Sequence, residues 1–321
     1  MPAPADIAAA AARLREGGLV AFPTETVYGL GADATNARAV RAVFDIKGRP
    51  AHNPLIVHVL DESGARAVSA RWPDEASALA RAFWPGPLSI IVPRAPHVPG
   101  IVTGGGPNVA VRCPDHPVAL SLLDAFGGPL VGPSANRSGR LSPTAADHVR
   151  ASFAPQEVMV LDGGACRIGI ESTVVNLADN QPRVLRPGII GPARIARVLG
   201  IGVEYEQADH NTAGSPGMLA SHYAPAARAV LVDAPRISRA IEAAKGDAAV
   251  LALSPLTITA RRVIAMPAGA QDYAAALYSA LREADSLSPR LIIIEEPSEL
   301  GDDDERAAWH AVLDRLRRAS A

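Results

Sequence analysis

Residues 205–227 read YEQADHNTAGSPGMLASHYAPAA, a stretch with neither the 3.6-residue period of a helix nor the alternation of a strand. Gly, Pro, Ser and Ala dominate it, so it reads as a linker that divides the 321-residue chain. Strands and helices alternate on both sides of it, which places both parts in the α/β class. A chain of this length is expected to need more than one core. We therefore read 1–204 as a first domain, 205–227 as linker and lid, and 228–321 as a second, smaller domain.

Upstream, Asp6 is placed to cap a helix over 7–15 that stops at Gly17-Gly18. Strands are expected at 19–22, 55–60, 88–92, 109–112, 130–132 and 158–161, with helices at 36–46, 74–83, 118–125 and 145–153. Segments 174–177 and 183–185 flank a DNQP turn and read as a hairpin. The first domain is thus a mixed twisted sheet flanked by helices, with one antiparallel element. Downstream, strands at 229–232, 250–253, 262–265 and 291–294 alternate with helices at 237–244, 272–284 and 305–318. That order predicts a small Rossmann-like α/β domain with a parallel sheet. It holds no GxGxxG, so nothing there argues for a dinucleotide.

Composition narrows the function classes. With 48% hydrophobic and 20% charged residues the chain can bury substantial cores. A net charge of −2 lacks the basic excess on which tight nucleic-acid binding rests. Cys113 and Cys166 are the two cysteines, too few for a disulfide framework and without CxxC spacing, so no metal is expected there. The N-terminal run MPAPADIAAAAARLREGG has no basic n-region, and no apolar run is long enough to span a membrane. A cytoplasmic protein is expected. There is no GxxxxGK[ST], HExxH or GxSxG, which removes the P-loop, the zinc peptidase helix and the nucleophile elbow.

The polar residues that look out of place collect at strand ends and in Gly/Pro turns. Pro23-Thr24-Glu25-Thr26 closes the first strand, and Lys47-Gly48-Arg49-Pro50 follows a helix end. Arg112 ends a strand, Ser134-Ala135-Asn136 follows another, and Glu171-Ser172-Thr173 and Arg186-Pro187-Gly188 bracket the hairpin. Taken singly, KGR is a solvated helix cap and the hydroxyl runs are turns bonding their own backbone. Together they put four cations and several small hydroxyl and amide groups where open α/β sheets bind ligands. Lys and Arg suit phosphates; Ser, Thr and Asn suit an amino acid or a ribose. The glycine run 103–107 reads as a turn.

The motifs FPTETVYGLG, KGRPAHNPL, VRCPDHPVA, SANRSG with SPT, GIESTVV and LRPG stand in the order and spacing of the YrdC family, which this chain resembles. SPGMLASHYAP before a second α/β domain is similar to its longer, two-domain L-threonylcarbamoyladenylate synthases. The resemblance implies a nucleotidyltransferase that converts L-threonine, bicarbonate and ATP, with Mg²⁺, into threonylcarbamoyl-AMP and pyrophosphate. The product would pass to a transferase complex that modifies tRNA, with at most weak direct tRNA contact. It implies that Lys47 and Arg49 act on the phosphates, and that Asn53, Asn108, Ser134, Asn136, Ser142, Thr144, Arg186 and Tyr223 complete the ATP site. Thr26, His58, Arg112, Ser134 and Ser172 would hold L-threonine or its carbamate. Asn108 departs from the family, which often has Thr there. A lid over the site is expected from 215–218 and His222-Tyr223. The competing readings are a nucleic-acid-binding module and a carbamoyl-transfer domain.

Overall fold

A computed structural model describes residues 2–179, 181–206, 223–256 and 259–321. The expected lid residues 215–218 and His222 lie outside these; Tyr223 lies within them. In chain order the elements are α1 (Pro4–Arg15), β1 (Leu19–Phe22), β2 (Gly29–Asp33), α2 (Ala37–Lys47), β3 (Ile56–His58), α3 (Glu62–Ala67) and α4 (Asp74–Phe83). Then come β4 (Leu88–Pro93), β5 (Asn108–Arg112), α5 (Pro117–Phe126), β6 (Leu130–Val131), α6 (Ala146–Arg150) and β7 (Val158–Val160). The hairpin β8 (Thr173–Asn176) and β9 (Arg183–Arg186), α7 (Pro192–Leu199) and β10 (Glu204–Tyr205) complete the first sheet's share. The remainder holds β11 (Ala229–Val232), α8 (Ile237–Ala243), β12 (Ala248–Ala252), β13 (Arg262–Ala265), α9 (Ala270–Ser286), β14 (Leu291–Glu295) and α10 (Asp303–Ala319).

The first sheet has ten strands in the order β10-β9-β8-β4-β5-β3-β6-β2-β1-β7. The second has four, β11-β14-β12-β13, all parallel as expected. The expectation of one antiparallel element in the first sheet is corrected. Besides the hairpin β8–β9, the pairs β1–β2, β2–β6, β3–β6 and β4–β5 run antiparallel. Of the four elements the sequence did not predict, α3, α7, β10 and β2, the one that adds antiparallel pairs is β2. Its glycines answer to Phe22: a Cβ on Gly29 or Gly31 would lie 3.0 Å from that ring. Two further boundaries move. Helix α1 starts earlier than expected, with Asp6 inside its first turn accepting from the Ala3 amide rather than capping it, and α6 is shorter. Helix α2 begins at Asn36, whose side chain accepts from the Arg38 and Ala39 amides, and ends at Gly48.

One core packs α2 (Val40, Val43, Phe44) and α4 (Leu79) on the sheet through Val57, Val111 and Val175. A second core joins Tyr278, Leu281, Trp309 and Val312 of α9 and α10 to Val27, Leu141 and Ile170 of the first part of the chain. Each of these buried side chains contributes about 1.5–3 kcal/mol, so α9 and α10 are held firmly against the strand-end loops.

Candidate active site

Strand register builds the floor of the site. The parallel pairing of β3 with β5 sets His58 beside Arg112. The imidazole stands edge-on to Phe22, with centroids 5.5 Å apart, and its Nδ1 has no protein partner. Burial, reinforced by the Arg112 charge, lowers the His58 pKa to about 3, so the ring is neutral at physiological pH. The wall beside it is Gly132, where an added Cβ would fall 2.6 Å from His58 Nδ1. Arg112 donates from Nε to the Gly86 carbonyl at 3.2 Å, and its Nη2 lies 2.7 Å from Glu25 Oε2. That second contact is an ion pair without hydrogen-bond alignment, because Nη2 still lacks a hydrogen-bonded partner. The turn 23–27 is knitted by Thr24, whose hydroxyl accepts from the Thr26 and Val27 amides and lies 2.8 Å from the Thr26 hydroxyl.

The KGR motif splits in two. Lys47 turns inward, and its Nζ donates to the carbonyls of Ser134 (2.5 Å) and Asn136 (2.6 Å), fastening the loop after β6. Burial, with Arg49 nearby, takes this ammonium well below its ordinary pKa. Arg49 faces the site and is shaped by Asn53: Nε donates to its carbonyl, and Nη2 to its Oδ1 and to the Pro54 carbonyl, both at 2.8 Å. Burial lowers Arg49 to about 10, which leaves it charged at neutral pH. From the hairpin, Arg186 donates to the Ser172 carbonyl and hydroxyl, each at 3.0 Å, and the Ser172 hydroxyl also meets Ser89 at 2.8 Å.

These elements line a single pocket. Every residue expected for L-threonine, namely Thr26, His58, Arg112, Ser134 and Ser172, lines it, together with Arg49, Arg186 and Tyr223 of the nucleotide set. The others are placed differently. Lys47 and Asn53 support it from behind, and Asn136 donates to the Arg137 and Arg140 carbonyls. Ser142 donates to Glu171, and Thr144 contacts His148 and, at 3.1 Å, Ser279 of α9. Asn108 lines a separate pocket with Pro54, Thr103, Asn176, Leu185 and Glu206. Among the described residues no group of three His, Cys, Asp or Glu side chains could hold a metal ion.

A family model described as "Telomere recombination", that of Sua5, YciO and YrdC, matches residues 12–188. The chain belongs to the Sua5/YciO/YrdC family. A second model, "Threonylcarbamoyl-AMP synthase, C-terminal domain", matches residues 190–321. The threonylcarbamoyl-AMP synthase of Pyrococcus abyssi is 40% identical over 321 residues, covering 97% of this chain and 93% of its own. That of Bacillus subtilis is 40% identical over 331 residues, covering 98% and 92%. The crystal structure of P. abyssi Sua5 complexed with L-threonine superposes with a TM-score of 0.89 at 38% identity, covering all of this chain and 95% of the other.

Sequence reasoning missed four residues of this Sua5-family site. Glu25 and Glu171 stood in the quoted motifs without a role, yet one pairs with Arg112 and the other lines the cavity. Tyr278 and Arg315, from α9 and α10, both bond Glu171. Arg315 left one trace: it interrupts the apolar stripe Ala308, Ala311, Val312, Leu316 of an amphipathic helix. No described helix is long and apolar enough to cross a membrane.

Proposed function

We propose that this chain is a threonylcarbamoyl-AMP synthase that makes threonylcarbamoyl-AMP and pyrophosphate from L-threonine, bicarbonate and ATP. The observation that carries the reading is the convergence of Thr26, His58, Arg112, Ser134 and Ser172 on one cavity with Arg49 and Arg186. Three guanidiniums against one lining carboxylate suit a substrate pair that brings a carboxylate and a polyphosphate. L-Threonine's amine and bicarbonate give a carbamate and water. A carbamate oxygen then attacks the α-phosphorus, and the bond to the β,γ-phosphates breaks to release pyrophosphate. Such a displacement is accelerated by alignment and charge neutralisation, and no enzyme nucleophile is needed. Arg112, oriented by Glu25 and the Gly86 carbonyl, holds the amino-acid carboxylate. The unpartnered Nδ1 of neutral His58 serves the hydroxyl or the carbamate, and Arg49 and Arg186 hold the phosphates.

Mg²⁺ fits as a companion of ATP rather than as a resident of the protein. Both oxygens of Glu171, the carboxylate in the cavity wall, are already engaged by side chains. The ion would be carried on the phosphates, as is usual for this cation, and would offset their charge. The buried, free thiols of Cys113 and Cys166 support a reducing, cytoplasmic setting. The mixed anhydride is a reactive acyl donor, consistent with onward transfer to tRNA by a separate enzyme. The test is pyrophosphate release from ATP by the full chain. Release is expected with L-threonine and bicarbonate together, and release that needs neither refutes the reading.

A further inference from the structure

Arg315 lies on the buried face of α10 and is 1% exposed. A cation in that position needs a partner, because an unpaired buried charge costs several kcal/mol. On its own helix it meets the Asp314 carboxylate, Nη1 to Oδ2 at 3.1 Å, and its other side-chain partner lies across the domain contact. Arg315 Nε donates to Glu171 Oε2 at 3.1 Å, Nη1 to the Pro187 carbonyl at 2.6 Å, and Nη2 to the Glu171 carbonyl at 3.4 Å. The same carboxylate accepts from the Ser142 hydroxyl at 2.6 Å and from the Tyr278 hydroxyl at 3.1 and 3.3 Å. Two of its donor side chains therefore come from α9 and α10. Burial would raise the Glu171 pKa, but Arg315, Arg186 and Ser142 outweigh it, and the group is ionised.

Glu171 is, among the described residues that line the cavity, the one carboxylate, and it shares that lining with Arg49, Arg112 and Arg186. It adjoins Ser172, to which Arg186 is bonded, and the charges of Glu171 and Arg186 act on each other. A carboxylate so placed can follow either of two cations, Arg315 at the domain contact or Arg186 in the cavity.

We propose that Arg315 is a positioning residue: it holds the Glu171 carboxylate at the domain contact, so that Glu171 does not neutralise the arginines that receive the nucleotide. The second domain thereby completes the site of the first. The inference deepens the reading of the cavity as an ATP site and rests on it. Loss of Arg315 lets Glu171 turn toward Arg186, and an anionic ligand must then displace that carboxylate.

The test is direct calorimetric binding of ATP and of L-threonine to the full chain and to Arg315→Met, Glu171→Gln and the double variant, with thermal unfolding of each. Arg315→Met is expected to weaken ATP about tenfold or more, with L-threonine changed far less. The double variant, which removes both charges, is expected to return ATP affinity to within about threefold of wild type. A packing role for Arg315 would give no such rescue, so a folded double variant as weak as Arg315→Met overturns the proposal. Unchanged ATP affinity in folded Arg315→Met overturns it too. Should Arg315→Met not fold, Tyr278→Phe removes one donor from the same carboxylate and is expected to weaken ATP about threefold; no change there overturns the proposal. If wild type binds L-threonine but no ATP, the reading of the cavity fails first, and this inference with it.

Discussion

His58 is buried without a proton, and that makes the stability of the fold depend on acid. Its pKa is lowered from an ordinary 6.5 to about 3, first by burial and then by the neighbouring Arg112. A depressed folded-state pKa means that, between those two values, the unfolded chain binds a proton that the folded chain refuses. The contribution is therefore whole above pH 6.5 and is lost progressively as the pH falls toward 3. At about pH 5, roughly one and a half units below the unfolded value, the loss is about 2 kcal/mol at about 1.4 kcal/mol per unit. Urea unfolding of wild type and His58→Asn at about pH 7.5 and pH 5 measures it. Wild type is expected to lose about 2 kcal/mol more than the variant between the two conditions. His148, lowered to about 4 by burial and by Arg282, adds acid sensitivity to both proteins and cancels in the comparison. An equal pH-dependent loss in wild type and variant would show that His58 accepts a proton while folded, and the neutral-imidazole assignment would fall.

Three further outcomes bear on the cavity. Arg49→Ala should lose a charge-assisted contact of roughly 1.5–3 kcal/mol, or about 10- to 150-fold in kcat/KM for ATP, and some stability too, because the Asn53 and Pro54 acceptors lose their donor; a destabilised variant of full specific activity would make Arg49 a structural residue only. Gly132→Ala puts a Cβ 2.6 Å from His58 Nδ1, and the displaced ring should weaken L-threonine binding; the expected cost is about 1–3 kcal/mol, and unchanged affinity by calorimetry would refute this wall of the site. Tyr223, which packs 5.8 Å from Tyr278 and lines the cavity, should when changed to Ala weaken ATP by about 1 kcal/mol or more and lower product yield; wild-type affinity and yield would leave it a structural tyrosine.

The sequence by itself determined the α/β class, the second parallel sheet and the motifs that supply the cavity. Hydrophobic periodicity reports burial locally, and the elements of 229–319 are long and regular enough for it to succeed. It failed at β2, where glycines are required by contact with Phe22, a residue on a different strand. Within the motifs it could not separate Lys47 from Arg49. Two residues straddling Gly48 look alike as cations, and the turn at the end of α2 sends one ammonium to the loop carbonyls and the other side chain to the cavity. The pairing of Glu171 with Arg315 lay beyond any local pattern. The two are 144 residues apart, and each charge alone is costly to bury. Their meeting was decided by the docking of α9 and α10 on the strand-end loops, where the apolar faces of both helices close over Val27, Leu141 and Ile170 and bring the two charges to 3.1 Å.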